Sequence, residues 1–295
     1  MSSPGRFDLL NKIKGLIQLF RPELAFAAGM CVVIGELLAA GAFPPLRAIA
    51  LGFACGFFLS GSALITNDYF DLEVDRINAP QRALPAGLLP PVAALVAGIA
   101  AGLVGLAAAL ALNPFAFAAG GVVWVIGFLY NWKLKATGLW GNLIVSASVA
   151  LTFVMGGIGV GQAWNRTVWL FGLIAFSFDL AEEIAADAMD AEGDQIRASR
   201  SIALVHGKQT ALRLAGVLYG CVVVLTLVPL TWDGLGLTYL VPILATDILI
   251  LFFAAKLLRS RSPGEGRRWI RALYLSACLG LLAFLAGAFY IFRLS

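Results

Sequence analysis

Acidic side chains at helical spacing are the part of this sequence best suited to do chemistry. Asp68, Asp71 and Asp75 follow Asn67 at intervals of three and four residues, directly after a long apolar run. On a helix these positions lie within an arc of about 60°, so three carboxylates share one face. Acids close to an apolar membrane core cost roughly 2.5–3.5 kcal/mol each. This first acidic stripe therefore requires a positively charged partner.

A second acidic stripe repeats the spacing: Asp187, Asp190 and Asp194 stand three and four residues apart, and Asp179 and Glu183 extend the same face by steps of four. Two such stripes at one membrane surface would repel each other unless divalent cations lay between them. Ligand sets made only of oxygen favour Mg²⁺, which keeps waters and shares its shell with substrate phosphates. The sequence therefore predicts Mg²⁺ and a diphosphate ligand. The carboxylates that would face these cations are those of Asp68, Asp71, Asp75, Asp187, Asp190 and Asp194.

The alternative interpretation, a solvated acidic loop, is disfavoured by two copies with matched spacing, each following an apolar run. A metal site built from several histidines is excluded and a Ser/His catalytic triad is disfavoured, because His206 is the single histidine. The four cysteines lie alone in apolar runs without a C-x-x-C spacing, so we interpret them as small hydrophobic side chains. They are Cys31, Cys55, Cys221 and Cys278.

Several basic residues stand where they could bind phosphate oxygens. Arg76 and Arg82 flank the first stripe in a segment containing Pro and Gly, which is typical of an ordered loop. Lys133 and Lys135 follow an apolar run on the same predicted side, and Arg21 begins another. The alternative for the two lysines is an ordinary role in membrane topology.

The elements that must position these residues are membrane helices. The chain has 295 residues, 60% hydrophobic and 13% charged, with a mean hydropathy of +0.89, far from the balance of a soluble domain. We predict an all-α polytopic bundle, one domain over 1–295, with residues 1–21 at the interface and a first helix that is retained. Nine spans are predicted, at about 22–41, 46–66, 91–112, 115–131, 141–161, 167–186, 209–231, 237–257 and 270–292.

The distribution of charge predicts the orientation. With the N-terminus in the cytoplasm, all of the 21 basic residues except Arg47, Arg166 and Arg293 fall on the cytoplasmic side. This pattern explains the net charge without a nucleic-acid partner. The longer polar connections also lie on that side, which places the chemistry at the cytoplasmic face. We interpret the basic segment 256–271 as a topology anchor at anionic lipid.

The residues carry a family resemblance. The pattern N-D-x-x-D-x-x-x-D of Asn67–Asp75, followed by R-I-N-A-P-Q-R-A-L-P-A-G, resembles the first signature of the UbiA superfamily of intramembrane prenyltransferases. The stretch ending D-A-E-G-D at Asp194 resembles the second signature. Residues 130–142 and 180–184 are most similar to the digeranylgeranylglyceryl phosphate synthase branch.

The resemblance implies helices around a central cavity with a cytoplasmic mouth. It implies Mg²⁺-dependent transfer of a polyprenyl group, best matched by geranylgeranyl, from its diphosphate to a lipophilic acceptor such as geranylgeranylglyceryl phosphate. Asn67 and the first stripe would hold one Mg²⁺ and the second stripe another. Tyr130, Lys133 and Arg82 are expected near the diphosphate or the allylic cation. The catalytic set would be Asp68, Asp71, Asp75, Tyr130, Asp190 and Asp194.

Two departures leave the substrate open, because members of that branch commonly carry Arg at the position of Glu182 and Lys at that of Ala186. One alternative is prenylation of an aromatic acid, a quinone precursor or a tetrapyrrole, and another is cyclisation of a terpene diphosphate. A cation transporter lined by the acids is an alternative from another class. It is disfavoured because the acids cluster at one face of the membrane.

Overall fold

The computed structural model describes residues 4–194, 200–231 and 237–294, and within them the side chains of 10–77, 79–190, 200–231 and 239–284. The described residues are helical with short connections and contain no strand, which confirms the all-α prediction. The helices are α1 (Pro4–Phe20), α2 (Pro22–Ala40), α3 (Leu46–Phe70), α4 (Leu72–Asn78), α5 (Pro91–Leu112), α6 (Pro114–Leu129), α7 (Leu139–Gly159), α8 (Arg166–Asp194), α9 (Ile202–His206), α10 (Lys208–Leu227), α11 (Leu237–Leu258) and α12 (Pro263–Leu294).

Short irregular turns continue two of these helices. A π-helical turn over Tyr130–Leu134 and a 3₁₀ turn over Lys135–Thr137 follow α6, and a 3₁₀ turn over Val228–Thr231 follows α10. π-helical turns are rare and are frequently found at functional sites.

Seven helical segments of the described chain are long and apolar enough to cross a membrane. They are Pro22–Ala40, Leu46–Phe70, Pro91–Leu112, Pro114–Thr137, Leu139–Gly159, Lys208–Thr231 and Tyr239–Leu258. Their bounds agree with seven of the nine predicted spans to within a few residues. The other two predicted spans, 167–186 and 270–292, lie inside α8 and α12. The protein is therefore an integral, multi-pass membrane protein with at least seven segments suited to span the bilayer.

The described residues fall into two compact units. The first unit takes its residues from Met1–Ala40, Pro44–Leu134 and Leu151–Asn165, and the second takes its residues from Gly41–Phe43, Lys135–Ala150 and Arg166–Ser295. The first acidic stripe belongs to the first unit and the second acidic stripe to the second.

In the first unit, α3 packs between α2 and α5. Small residues let the backbones approach closely, as is common between membrane helices: a Cβ on Gly56 would lie 2.8 Å from the carbonyl oxygen of Ala28. The end of α1 is part of this core. Leu19 is fully buried, and the ring of Phe20 lies where a Cβ on Gly61 would stand. This packing fixes the end of α1 against α3.

In the second unit, α8 packs against α10, and α11 packs against α12. Tyr219, Leu212 and Leu273 are fully buried at the centre of its apolar core. The core extends along α8 through Ile184 and Ala188 up to the second acidic stripe. The apolar face of α8 therefore determines which way its acidic face points.

Candidate functional site

The first acidic stripe spans the junction of α3 and α4, where the helical hydrogen bonds continue. The backbone N–H of Asp71 donates to the carbonyl of Asn67 at 2.9 Å, and that of Asp75 donates to Asp71 at 2.8 Å. Asp71 itself has φ −86° and ψ 0°, close to helical. The three aspartates are 4%, 7% and 4% exposed in chain order. The three aspartates are thus carried on a nearly continuous helix, as their spacing predicts, and they are largely buried.

Arg21 supplies the first counter-charge from the junction of α1 and α2. Its Nη2 donates to Oδ1 of Asp68 at 2.6 Å. Arg21 has φ +46°, the only non-glycine residue with positive φ in the described chain. This conformation costs on the order of 1 kcal/mol and persists only where surrounding contacts impose it. Here the burial of Leu19 on one side and the ion pair on the other impose it.

Arg82 supplies the second counter-charge from the loop after α4. Its Nη1 donates to Oδ2 of Asp75 at 2.7 Å and lies 3.7 Å from Oδ1 of Asp68. Ala83 and Leu84 follow directly and are 2% and 5% exposed, which anchors the loop in the core of the first unit. The prediction of an ordered loop at this position is confirmed.

The surroundings of Arg82 favour its protonated, charged form. Burial alone would lower its pKa, but the hydrogen bond and negative charge of Asp75, with the charges of Asp68 and Asp71, raise the pKa above its ordinary value. The guanidinium therefore stays charged while it is held against the stripe.

A cavity of about 270 Å³ opens beside these ion pairs. It is lined by Gln18, Arg21, Asp68, Gln81, Arg82 and Ala83. Two guanidinium groups and two primary amides offer many N–H donors, and the aspartate offers oxygen acceptors. Such a lining can hold an anion with several oxygens beside a cation bound to the carboxylates. Gln18 and Gln81 were not predicted from the sequence, since an isolated glutamine carries no spacing signal.

An asparagine pair ties the first stripe to the π-helical turn. Nδ2 of Asn67 donates to Oδ1 of Asn131 at 3.1 Å, while Nδ2 of Asn131 donates to the carbonyl of Ala63 at 3.0 Å and to Oγ1 of Thr66 at 3.1 Å. The turn thus orients Asn67, a predicted metal ligand. Tyr130 precedes Asn131 and is 8% exposed.

The structure also describes the surroundings of three other predicted binding residues. Nζ of Lys133 stands 4.1 Å from the ring centroid of Trp132 at an exposed position. Arg76 pairs with Glu73 at 2.9 Å, and both side chains are mostly exposed. Lys135 is half-buried in the 3₁₀ turn of the second unit. The roles of these residues remain predictions.

The second acidic stripe is held by polar partners inside its own unit. Nδ2 of Asn142 donates to Oδ2 of Asp187 at 2.9 Å, and Oγ of Ser146 donates to Asp179 at the same distance. Asp190 accepts a hydrogen bond from Arg267 of α12. The side chain of Asp194, a predicted metal ligand and catalytic residue, lies outside the described residues.

The donor set fits a hard divalent cation. Among the described side chains, no group of three or more acids, histidines or cysteines converges as a finished metal site. Instead, arginine guanidinium groups stand against Asp68, Asp75 and Asp190. These carboxylates are thus placed to hold positive charge. Mg²⁺ prefers such oxygen ligands, together with water and phosphate oxygens.

The protein is all-helical and membrane-spanning, and it carries aspartate stripes at the ends of two helices. These features define its class. The chain belongs to the UbiA prenyltransferase family, whose family model matches residues 28–278. It is 32% identical over 277 residues to the digeranylgeranylglyceryl phosphate synthase of Pyrococcus furiosus, covering 94% of this chain and 98% of that one.

Solved structures show the same fold. A structure described as digeranylgeranylglyceryl phosphate synthase is similar with a TM-score of 0.74 and 28% identity, covering 94% of this chain and 98% of that one. A UbiA homologue from Archaeoglobus fulgidus, bound to DMAPP and Mg²⁺, is similar with a TM-score of 0.70 and 19% identity over 95% and 99% of the two chains.

Proposed function

We propose that this protein transfers a geranylgeranyl group from its diphosphate to geranylgeranylglyceryl phosphate, with Mg²⁺ as cofactor, in ether-lipid synthesis. The observation that carries this proposal is the buried cluster in which Arg21 and Arg82 pair with Asp68 and Asp75 beside a cavity. The cluster combines carboxylates for a metal with guanidinium groups for phosphate. The named relative at 32% identity supports the choice of acceptor.

The aspartates would hold the metal ions. Asn67, Asp68, Asp71 and Asp75 would hold one Mg²⁺, and Asp187, Asp190 and Asp194 another. When bound, Mg²⁺ neutralises charge on the leaving diphosphate as the allylic C–O bond breaks. A UbiA homologue with the same fold is bound to DMAPP and Mg²⁺, which supports Mg²⁺ as the cofactor.

The protein's own side chains would bind and orient the diphosphate. Arg21 and Arg82 are the two cations among the described residues that line the cavity, and a guanidinium can donate two parallel hydrogen bonds to a phosphate. Gln18 and Gln81 would add neutral donors at the same wall. Tyr130 is placed one residue before Asn131, and its aromatic ring would stabilise the allylic cation.

The membrane arrangement that goes with this function has nine spans, with the N-terminus and the active-site mouth in the cytoplasm. It is supported by the seven apolar segments and by the sorting of basic residues. Under this arrangement α8 and α12 complete the nine. In α8 an apolar stretch precedes the polar end that carries Asp190, and in α12 an apolar stretch follows the polar end that carries Arg267.

The test is a turnover assay with purified protein in detergent or liposomes. Geranylgeranyl diphosphate and Mg²⁺ are supplied with geranylgeranylglyceryl phosphate, an aromatic acid, a quinone precursor, a tetrapyrrole or no acceptor, and products are identified by mass. We expect a single ether product from the first acceptor and none after chelation of Mg²⁺. Product from an aromatic acceptor alone, or a cyclic hydrocarbon without acceptor, would refute the assignment of substrate. Cation flux without diphosphate consumption would refute the enzyme assignment.

A further inference from the structure

The start of α12 is a firmly built helix end. Oγ of Ser262 accepts a hydrogen bond from the backbone N–H of Glu265 at 3.2 Å, and Oε2 of Glu265 accepts from the N–H of Arg261 at 3.0 Å. Nε1 of Trp269 donates to Oε1 of Glu265 at 3.5 Å. The first of these contacts satisfies a backbone donor that a helix leaves free in its first turn, and the second ties the preceding residue to that turn. The first turn of α12 therefore has a defined position.

A close contact brings that turn against the second acidic stripe. A Cβ on Gly266 would lie 2.0 Å from Sδ of Met189, a residue that is 4% exposed. The absence of a side chain at Gly266 thus lets α12 approach α8. The next residues along each helix are Arg267 and Asp190, and they form an ion pair. The pair is a product of packing between residues 77 positions apart.

Arg267 and Asp190 can each bind a further group while they are paired. Their side chains are 61% and 50% exposed. A guanidinium has five N–H donors in a planar fork, so Arg267 can bind a further anion while it stays near Asp190. The segment around it is not only a basic anchor at the membrane surface, because one of its arginines has a specific carboxylate partner.

The first unit shows the same arrangement. Asp68 and Asp75 each hold an arginine that comes from a different element. In both units a carboxylate of an acidic stripe is paired with an arginine from elsewhere in that unit. A cation that approaches the paired carboxylate oxygen competes with the arginine for it, and a guanidinium that gives up this oxygen then stands beside the metal.

We propose that Arg267 is the phosphate-binding cation of the second acidic stripe. It pairs with Asp190 when no metal is bound, and it binds diphosphate oxygens when Mg²⁺ takes that carboxylate. This inference rests on the proposed function. Three aspartates leave the second stripe negative after one Mg²⁺ binds, and the charge of Arg267 neutralises the remainder so that an anion can approach.

The test uses the full-length protein in detergent and three variants. Arg267→Ala removes the cation, Arg267→Lys keeps the charge without the planar fork, and Arg268→Ala is the matched control at the next position, which is also exposed. Mg²⁺ binding is measured first without any phosphate. Binding of inorganic pyrophosphate is then measured at saturating Mg²⁺. Both measurements use isothermal titration calorimetry and need no turnover.

The two affinities should change in opposite directions. Without its competitor, Mg²⁺ should bind Arg267→Ala about 2- to 5-fold more tightly, the range set by an exposed ion pair. Pyrophosphate should bind about 10-fold more weakly, because a charge-assisted hydrogen bond is lost. Arg267→Lys should fall between wild type and Arg267→Ala. Arg268→Ala should match wild type in both measurements.

Each other outcome contradicts the proposal in a recognisable way. If Arg267→Ala matches Arg268→Ala in both titrations, Arg267 is an ordinary surface cation and the proposal is wrong. If it weakens both affinities alike, Arg267 acts only by holding the fold of the stripe, which also overturns the proposal. Wild-type protein that binds no pyrophosphate in the presence of Mg²⁺ would overturn the proposed function itself, whatever the variants do.

Discussion

Arg21 and Asp68, 47 residues apart in the chain, are joined by a hydrogen bond of 2.6 Å between Nη2 and Oδ1. This contact links the junction of α1 and α2 to the end of α3. It makes α1, predicted as an interfacial lead, part of the structure that positions the first acidic stripe. Gln18, from the last turn of α1, lines the same cavity.

The strain at Arg21 predicts an unusual order of stability. Arg21→Ala and Arg21→Gly both lose the ion pair, but only glycine adopts φ +46° without steric cost. Arg21→Gly should therefore be more stable than Arg21→Ala by about 1 kcal/mol. The free energy of unfolding, measured by denaturant titration in detergent, checks this. At Arg47, inside α3, the order should reverse, because glycine weakens a helix.

Asp68→Asn removes the negative charge of this side chain and keeps its size, so it tests the role of the charge alone. The amide keeps an acceptor for Arg21 but removes the negative charge that would hold Mg²⁺. Turnover should fall by about 100-fold, in the range seen when one preorganised electrostatic group is lost, and the Mg²⁺ affinity should fall with it. Glu73→Gln on α4 is the control, since Glu73 is mostly exposed. Equal turnover in the two variants would contradict the metal assignment at Asp68.

Asn131 should prove more important than its absence from the predicted site suggests. Asn131→Ala leaves Asn67 without this partner and removes two donated hydrogen bonds to α3. The unfolding free energy should drop by about 1–3 kcal/mol, and Mg²⁺ should bind more weakly because Asn67 is no longer oriented. Gln162→Ala, an exposed amide, should cost less than about 0.5 kcal/mol. Unchanged Mg²⁺ affinity in Asn131→Ala would show that the turn does not act on the site.

Two glycines with nearly the same φ should respond differently to alanine. Gly87 has φ +70° with nothing within 4 Å of an added Cβ, whereas a Cβ on Gly138, at φ +67°, would lie 2.0 Å from the carbonyl oxygen of Arg200. Gly87→Ala should cost about 1 kcal/mol from backbone strain alone. Gly138→Ala should cost about 3 kcal/mol, because the clash with backbone adds to the strain. Thermal unfolding of the two variants side by side measures the difference.

Gly138→Ala should also affect metal binding at the second acidic stripe. The carbonyl of Gly138 accepts the backbone N–H of Asn142 at 3.1 Å, and the side chain of Asn142 donates to Asp187. A shift at Gly138 should therefore weaken Mg²⁺ binding at the second stripe, while Gly87→Ala leaves that stripe intact. Calorimetric titration with Mg²⁺ distinguishes the two variants.

Much of this protein follows from the sequence because the deciding physics is local. Apolar runs long enough to cross a bilayer predict helices whatever their neighbours are, and seven of the nine predicted spans have the length and apolarity to do so. The spacing of Asp68, Asp71 and Asp75 puts their carboxylates on one face through the pitch of the helix alone. Family membership follows from the same motif and from residues 28–278.

Only the tertiary structure decides which cations meet these acids. Arg21 reaches Asp68 because Leu19 and Phe20 are packed against α3, and Arg267 reaches Asp190 because Gly266 lets α12 approach Met189. The sequence predicted Arg76 and Lys133 as readily as Arg21 and Arg82, since all four are basic residues on the predicted cytoplasmic side. A contact between remote residues depends on how helices pack, and no spacing along the chain encodes that.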